Sequence, residues 1–369
     1  MVKLVFFADL HLDAPFAWLG ESQLASRRRR QALRDTLRNI TRLTQVIHAD
    51  ALLCGGDLFE QARFTPDTVG FLVRTFEEIE PIQVFLAPGN HDWYGPESPY
   101  RQAQWSANVH VFTEDHLSPV PLKGGVTLWG AAHRAPARTP GFLDEFRVDR
   151  PGVHLALFHG SERGSFPQDE ANHELHAPFI AAQIEAAGLH HALVGHYHRP
   201  RDAERYTYPG NPDFLTFGED GERGAVVLNV ESDGHIERNR HRIGVTEAHD
   251  LRLSVSGCTS QQEVRDRLTA LLDNLTGVAR VTVEGELDPR VDLHVNDLLE
   301  VSHWLEGLQV RLGTLHPAYD LESIVDEPTV RGQFVRDVQD AELDEDDRRR
   351  VLLVGLRALE GRGDLEPLA

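Results

Sequence analysis

Five polar clusters in this sequence each follow an apolar run: Asp9-Leu10-His11, Gly56-Asp57, Gly89-Asn90-His91-Asp92, His159-Gly160 and Gly195-His196-Tyr197-His198. Their side chains are imidazoles, carboxylates and one amide. In Asp-x-His and His-x-His the two polar residues alternate, so both face one side of an extended segment. Mixed imidazole and carboxylate donors suit Mn, Fe, Zn or Co and do not suit Ca. Seven candidate ligands, Asp9, His11, Asp57, Asn90, His159, His196 and His198, are too many for one tetrahedral ion. They are about right for two ions that share a bridging carboxylate.

Two ions roughly 3.5–4 Å apart clamp a phosphoryl group and make hydroxide available from a shared water at neutral pH. The expected chemistry is in-line attack on a phosphate ester. The leaving oxygen then needs a proton. His91 directly follows Asn90 and is the expected general acid. Glu60, three residues beyond Asp57, is its expected partner, because a carboxylate beside an imidazole favours the charged, donating form. His48, His110, His116, His133, His154, His173, His176, His190 and His191 fall outside the pattern and are assigned no chemistry.

A strand held in a core is a rigid platform for polar groups at its end. Apolar runs predict strands over 3–8, 51–55, 82–87, 126–131, 153–158, 192–195 and 225–230. Helices are predicted over 21–48, 66–80 and 178–187. In the first, Leu33, Leu37, Ile40, Leu43 and Ile47 recur at helical spacing and form the buried face. Arg30, Arg34, Arg38 and Arg42 occupy another face, and Arg27, Arg28 and Arg29 add to its charge. That face reads first as solvated, and alternatively as a stripe that tracks phosphates. Trp93, Tyr94 and Tyr100 follow the third strand, placed to stack on bases or to pack their own loop.

Composition changes near 245–250, which predicts a domain over 1–245 that carries every cluster. A small α/β module follows over 250–340. An acidic linker and a C-terminal amphipathic helix are expected over 341–369, with Val351, Leu352, Leu356 and Leu359 on one stripe. Net charge is −21, whereas affinity for phosphate backbones comes largely from Lys and Arg. Any nucleic-acid site must therefore be local, metal-based or shared with a partner. The two cysteines, Cys54 and Cys258, give no disulfide framework, and Cys54 is expected as a buried thiol. No apolar stretch is long enough for a bilayer and the first residues lack a cleavage pattern, so no membrane association and a cytoplasmic location are expected.

Together the clusters resemble the calcineurin-like metallophosphoesterase superfamily, whose pattern is Asp-x-His, Gly-Asp, Gly-Asn-His-Asp/Glu, His and Gly-His-x-His. Within it the chain looks most like the SbcD-type and YhaO-type DNA repair exonucleases. Gly56-Asp57-Leu58-Phe59, Gly-Asn-His-Asp and Gly195-His-Tyr-His-Arg-Pro carry that likeness. Tyr208-Pro-Gly-Asn-Pro and Phe217-Gly-Glu-Asp-Gly-Glu-Arg-Gly224 add to it. The resemblance implies an α/β fold, a two-sheet sandwich flanked by helices, with a second, smaller α/β capping domain. It implies one ion on Asp9, His11, Asp57 and His198, and another on Asp57, Asn90, His159 and His196, with Asp57 bridging. Mn is expected first, with Fe, Zn or Co as alternatives.

The implied function is two-metal hydrolysis of DNA in repair, as exonuclease or endonuclease. The implied partners are DNA and a separate coiled-coil ABC-type ATPase, with a homodimer left open. Archaeal and eukaryotic relatives carry His where this chain has Glu60, so strand polarity does not carry over. Two alternatives stand beside this reading: a phosphodiesterase for small phosphate esters or nucleotides, and a mainly regulatory subunit of an ATPase complex.

Overall fold

The computed structural model describes residues 1–19, 23–137, 139–164, 175–219, 221–289, 291 and 293–361. Glu21, His173 and Asp220 lie outside the described residues. The chain divides into two compact units, Met1–Thr246 and Glu247–Ala369.

The first unit runs β1 (Val2–Phe7), α1 (Gln23–Val46), β2 (Ala51–Cys54), α2 (Pro66–Glu77), β3 (Gln83–Leu86), α3 (Pro99–Gln102), β4 (Val109–Val111), β5 (Ser118–Pro121), β6 (Val126–Gly130), β7 (Val153–His159), α4 (Ala181–Ala186), β8 (His191–Gly195), β9 (Arg201–Asp202), β10 (Tyr206–Tyr208), β11 (Ala225–Val230) and β12 (Ile236–His241). One sheet has the order β12-β11-β1-β2-β3-β4 and the other β5-β6-β7-β8-β10-β9. Successive strand residues point to opposite faces, and here both faces are apolar. On β1, Leu4 and Phe6 join Leu53, Phe85, Leu128 and Leu157 in the layer shared by the two sheets. Val5 and Phe7 face the other way, onto Leu33, Leu37 and Ile40 of α1 and Leu72 and Phe76 of α2. The second sheet turns Phe158 and Val194 onto Ile184 of α4. The result is the expected sandwich of two sheets flanked by helices.

Register levels the ends of the parallel strands. Phe7 pairs with Cys54, Cys54 with Leu86, and His159 with Gly195. The loops after β1, β2, β3, β7 and β8 therefore leave the sandwich at one end. That end, at the carboxyl termini of parallel strands, is where open α/β sheets place their sites.

Several elements differ from expectation. α4 is shorter than the predicted helix, and β12 lies beyond the strand that was expected to close this half. β12 reads Ile-Glu-Arg-Asn-Arg-His; a charged sequence suits a sheet edge but hides the strand from a search for apolar runs. The arginine face of α1 is only partly solvated. Arg34 donates to Asp67 Oδ2 at 2.6 Å, and the guanidinium groups of Arg34 and Arg38 each lie 5.1 Å from the Phe71 ring of α2. Arg29, expected only to add charge, is fully buried. It donates to the Thr246 hydroxyl and to the Phe214 carbonyl, and lies 4.0 Å from buried Asp213. Asp213 in turn accepts from Thr36 Oγ1 at 2.6 Å. Among the described residues, no helix is long and apolar enough to cross a membrane.

The second unit holds β13 (Ala248–Ser254), α5 (Gln261–Leu272), β14 (Val278–Leu287), α6 (Val295–Leu299), β15 (Gly307–Pro317), α7 (Leu321–Val325), α8 (Val330–Asp340) and α9 (Glu345–Leu359). The strands form a parallel sheet, β13-β14-β15, with Val264 and Leu268 of α5 packed among its valines. Leu352 and Leu356 of α9 pack with Ile324, Val335 and Val338. Asp344 caps α9, and Glu345, Asp346 and Asp347 form its first turn, where negative charge is favoured. The expected acidic linker thus contributes the cap and first turn of this helix.

The burial of Arg29 gives a stability prediction. Arg29→Ala leaves Asp213 buried without its cation, and breaking such a pair costs about 3–5 kcal/mol. Chemical denaturation of the variant should lose stability on that scale, whereas Arg27→Ala, on the exposed face, should change it by less than about 0.5 kcal/mol.

Candidate metal centre

Four of the seven candidate ligands sit on backbone that L-residues seldom adopt. Asp9, His11 and Asp57 have φ of 55°, 49° and 51°, and His196 has φ of 115°. Such conformations cost roughly 1–3 kcal/mol each and persist where the surroundings over-determine them. Here the surroundings are strand ends pinned to one another. Asp9 N donates to Gly56 O at 3.0 Å and His11 N to Asp57 O at 2.9 Å. His196 N donates to both carboxylate oxygens of Asp9, at 3.0 and 3.2 Å. A Cβ on Gly89 would collide with the Asp57 carboxylate, so only glycine lets the two loops approach.

Three imidazoles have one nitrogen committed to an acceptor. His11 Nδ1 donates to Glu60 Oε1 at 2.7 Å, His198 Nδ1 to Glu219 Oε1 at 3.0 Å, and His159 Nδ1 to the Gly55 carbonyl at 2.9 Å. Carboxylates and carbonyls only accept, so each Nδ1 carries a proton and each Nε2 is left for the site. Those atoms converge. His11 Nε2 and His198 Nε2 are 3.2 Å apart, and Asp57 Oδ2 lies 3.7 Å from His11 Nε2. His159 Nε2 lies 3.2 Å from Asp57 Oδ2, 3.0 Å from Asn90 Oδ1 and 3.3 Å from His196 Nδ1. Two bare lone pairs 3.2 Å apart repel, so either a proton on one of the rings or a metal ion must be shared between them.

The electrostatics agree. Asp9, His159 and Asp57 are almost completely buried. Burial pushes the Asp9 carboxyl up, whereas His159 and His11 hold Asp57 well below the usual carboxylate range against its own burial. Burial also opposes charge on His159, yet Asp57 and Asp9 draw its pKa up to about 9. The site thus draws positive charge to His159 Nε2. His196 is pushed down by burial and by His159, which keeps it neutral as a ligand must be. Asp9, His11 and His198 form one possible ligand group, Asp9, Asp57 and His159 a second, and His11, Glu60 and His91 a third, with the donor atoms of each within 4.8 Å of one another. This donor set fits two borderline divalent ions.

His91 and Glu60 meet as expected, with His91 Nδ1 3.1 Å from Glu60 Oε2. Glu60 does more than the sequence suggests, since its other oxygen holds His11. Burial raises the Glu60 carboxyl, but bonds from His11 and His91 bring it down to about 2. The bond to Glu60 raises His91 to about 9 in spite of its partial burial. The His91 side chain is 46% exposed, which places it at the mouth of the cluster.

Supporting residues went unrecognised in the sequence. Asp92, quoted only as the end of its motif, is fully buried. Its Oδ1 accepts from Gly89 N at 2.6 Å and Asp57 N at 3.0 Å, and its Oδ2 from Leu58 N at 2.7 Å and Tyr100 Oη at 2.6 Å. One carboxylate thereby ties the loops after β2 and β3 together. Tyr100 follows the second of its two expected readings: it is buried and packs its own loop, with its hydroxyl donating to Asp92. Trp93 and Tyr94 are half-buried. His133, assigned no chemistry, donates from Nε2 to the His159 carbonyl at 2.8 Å and accepts from Thr139 Oγ1 at 2.8 Å. Burial keeps it neutral, with a pKa of about 3. The signal available for Asp92 was its place beside three other motif residues; for His133 there was none.

A cluster of buried imidazoles and carboxylates at the ends of parallel strands is the donor set of a metal-dependent enzyme. The chain belongs to the calcineurin-like phosphoesterase family, whose model matches residues 2–200. It is 29% identical over 269 residues to the uncharacterized metallophosphoesterase YhaO of Bacillus subtilis, covering 68% of this chain and 61% of that protein. It is 23% identical over 299 residues to the DNA double-strand break repair protein Mre11 of Methanopyrus kandleri, covering 72% of this chain and 62% of that protein. The chain thus spans a little over three fifths of these relatives' lengths, 61% and 62%. Among solved structures, TT1561 of Thermus thermophilus aligns with a TM-score of 0.39 at 13% identity, covering 65% of this chain and 98% of that one.

Asp57 Oδ2 lies 3.7 Å from His11 Nε2 and 3.2 Å from His159 Nε2, so its charge reaches both groups of candidate ligands. Asp57→Asn should weaken both sites, because it removes a charge they share. Metal analysis after gel filtration should find the variant depleted of both ions; two tightly held ions would exclude Asp57 as the bridge.

Proposed function

We propose that this protein is a two-metal phosphodiesterase that hydrolyses DNA backbone bonds in repair. The observation that carries the reading is the convergence of seven donor side chains on one strand-end cluster, with the His91–Glu60 pair at its mouth. Two divalent ions held there, Mn first and Fe, Zn or Co as alternatives, would polarise the phosphoryl group and supply a nucleophilic water at neutral pH. Asp9, His11, Asp57 and His198 would hold one, and Asp57, Asn90, His159 and His196 the other.

His91 supplies the remaining step. Glu60 engages its Nδ1, so Nε2 is the nitrogen that donates a proton to the leaving oxygen. Glu60 stabilises the charged ring before transfer and orients it.

Three observations support DNA over a smaller ester. The chain is similar to a protein named for double-strand break repair, it carries a second α/β unit beyond the family domain, and its sequence motifs resemble the repair exonucleases. The net charge of −21 favours the second reading, a phosphodiesterase for small esters or nucleotides. On the DNA reading, a coiled-coil ABC-type ATPase on a separate chain supplies DNA affinity to set against this chain's net charge of −21. The deciding experiment offers labelled single- and double-stranded DNA with Mn, Mg or Zn, alongside a generic phosphodiester, with and without such an ATPase. Cut DNA supports the proposal; hydrolysis of the generic ester alone, under every condition, replaces it with the small-ester reading.

General acid catalysis typically contributes about 10²–10⁴-fold in rate. His91→Ala should therefore keep both ions and lose rate on that order, with a smaller loss on a nitrophenyl ester, whose leaving group departs without a proton. Equal slowing of both substrates would make His91 a positioning residue. Glu60→Gln removes the carboxylate that raises His91, so the ring gives up its proton at lower pH. The basic limb of the pH–rate profile should shift downward, and metal affinity should fall as well because His11 loses its anchor.

A further inference from the structure

Two turn-rich segments, Tyr208-Pro-Gly-Asn-Pro and Phe217 to Gly224, carry no chemistry in the sequence reading. In the structure they converge on one side chain. Glu219 is 8% exposed, and its Oε1 meets His198 Nδ1 at 3.0 Å. Its Oε2 accepts from Arg223 Nη1 at 2.7 Å, Asn211 Nδ2 at 2.9 Å and Leu215 N at 3.2 Å. Asn211 is itself fully buried. It accepts from the same Arg223 nitrogen at 2.7 Å, and its backbone N donates to the His198 carbonyl at 3.3 Å. The segment therefore holds His198 twice, by ring and by main chain. Gly210, at φ 71°, lets the chain pass close beside that carbonyl; a Cβ there would lie 2.6 Å from it.

His198 needs such a hold more than His11 or His159 does. His11 and His159 are enclosed, at 5% and 0% exposure, whereas the His198 side chain is 34% exposed. A carboxylate on Nδ1 fixes the tautomer, aims Nε2 at the site and makes that nitrogen a stronger donor.

We propose that Glu219 is a positioning residue for His198, held in place by Asn211 and Arg223, and that the two turn-rich segments thereby support one half of the metal centre. The inference rests on the two-metal reading. It assigns Glu219 to one ion only, the one held by Asp9, His11 and His198. Loss of such a supporting partner typically costs about 10–100-fold in metal affinity.

The test is a Mn titration followed by calorimetry and metal analysis, on the full chain stripped of metal. The wild type should take two ions. Glu219→Ala should weaken one of them by about 10–100-fold and leave the other as it was, and Glu219→Gln should fall between. The His198→Ala background separates positioning from general stability. If Glu219 acts through His198, adding Glu219→Ala to His198→Ala changes metal affinity no further. Wild-type affinity in Glu219→Ala, equal weakening of both ions, or a full additional loss in the double variant would each overturn the inference. A wild type that takes no ion at all would instead remove the two-metal reading beneath it.

Discussion

Asp9 and Asp57 are carboxylates buried side by side at the end of a hydrophobic sandwich, and the rest of the site is arranged around that constraint. Removing a charge from water costs several kcal/mol even after relaxation, so such a pair persists only where positive charge is available to it. The imidazoles supply part of it. His159 is drawn toward protonation against its own burial, and Asp57 is held well below the ordinary carboxylate range. The nitrogens facing the carboxylates are the ones left after Glu60, Glu219 and Gly55 have taken the others. A cluster so biased toward cations is what a pair of divalent ions would neutralise.

The same constraint explains the rigidity of the surroundings. Left-handed backbone at Asp9, His11 and Asp57 is unfavourable in isolation. It survives because each loop springs from a strand locked in register with its neighbours, and because cross-loop bonds leave little freedom. Asp92 is central to this, receiving three backbone N–H groups and a tyrosine hydroxyl on two oxygens. His133 does the same between the second sheet and the loop after β3, since its backbone N donates to the Pro88 carbonyl at 3.0 Å. Sheet stacking converts local sequence into a shared geometry: residues more than a hundred positions apart, such as Asp57 and His159, meet because their strands, one in each sheet, finish at the same end of the sandwich.

The residues that converge at the strand ends were legible in the sequence and their supports were not, for a physical reason. Each ligand directly follows an apolar run, so the strand announces the residue it presents. Supports reach the site across the fold. Glu219 lies 21 positions from His198 in a loop whose path sequence alone does not reveal. Tyr100 reads equally as a stacking group or as loop packing, and only the fold shows its hydroxyl meeting the buried Asp92. Arg29 looks like one more cation in a charged run, and only the fold shows that it faces Asp213 and Phe214. The fold class was equally legible, since long apolar strands and periodic helices dominate it, whereas β4, β5, β9 and β12 are short or polar edge strands with little signal.

Two ions flanking Asp57 are the central claim. Anomalous diffraction from crystals grown with Mn, collected at the metal edge, tests it directly. The two-metal reading predicts two peaks, one among Asp9, His11 and His198 and one among Asn90, His159 and His196, with Asp57 between them. A single peak, or peaks outside these side chains, would contradict it.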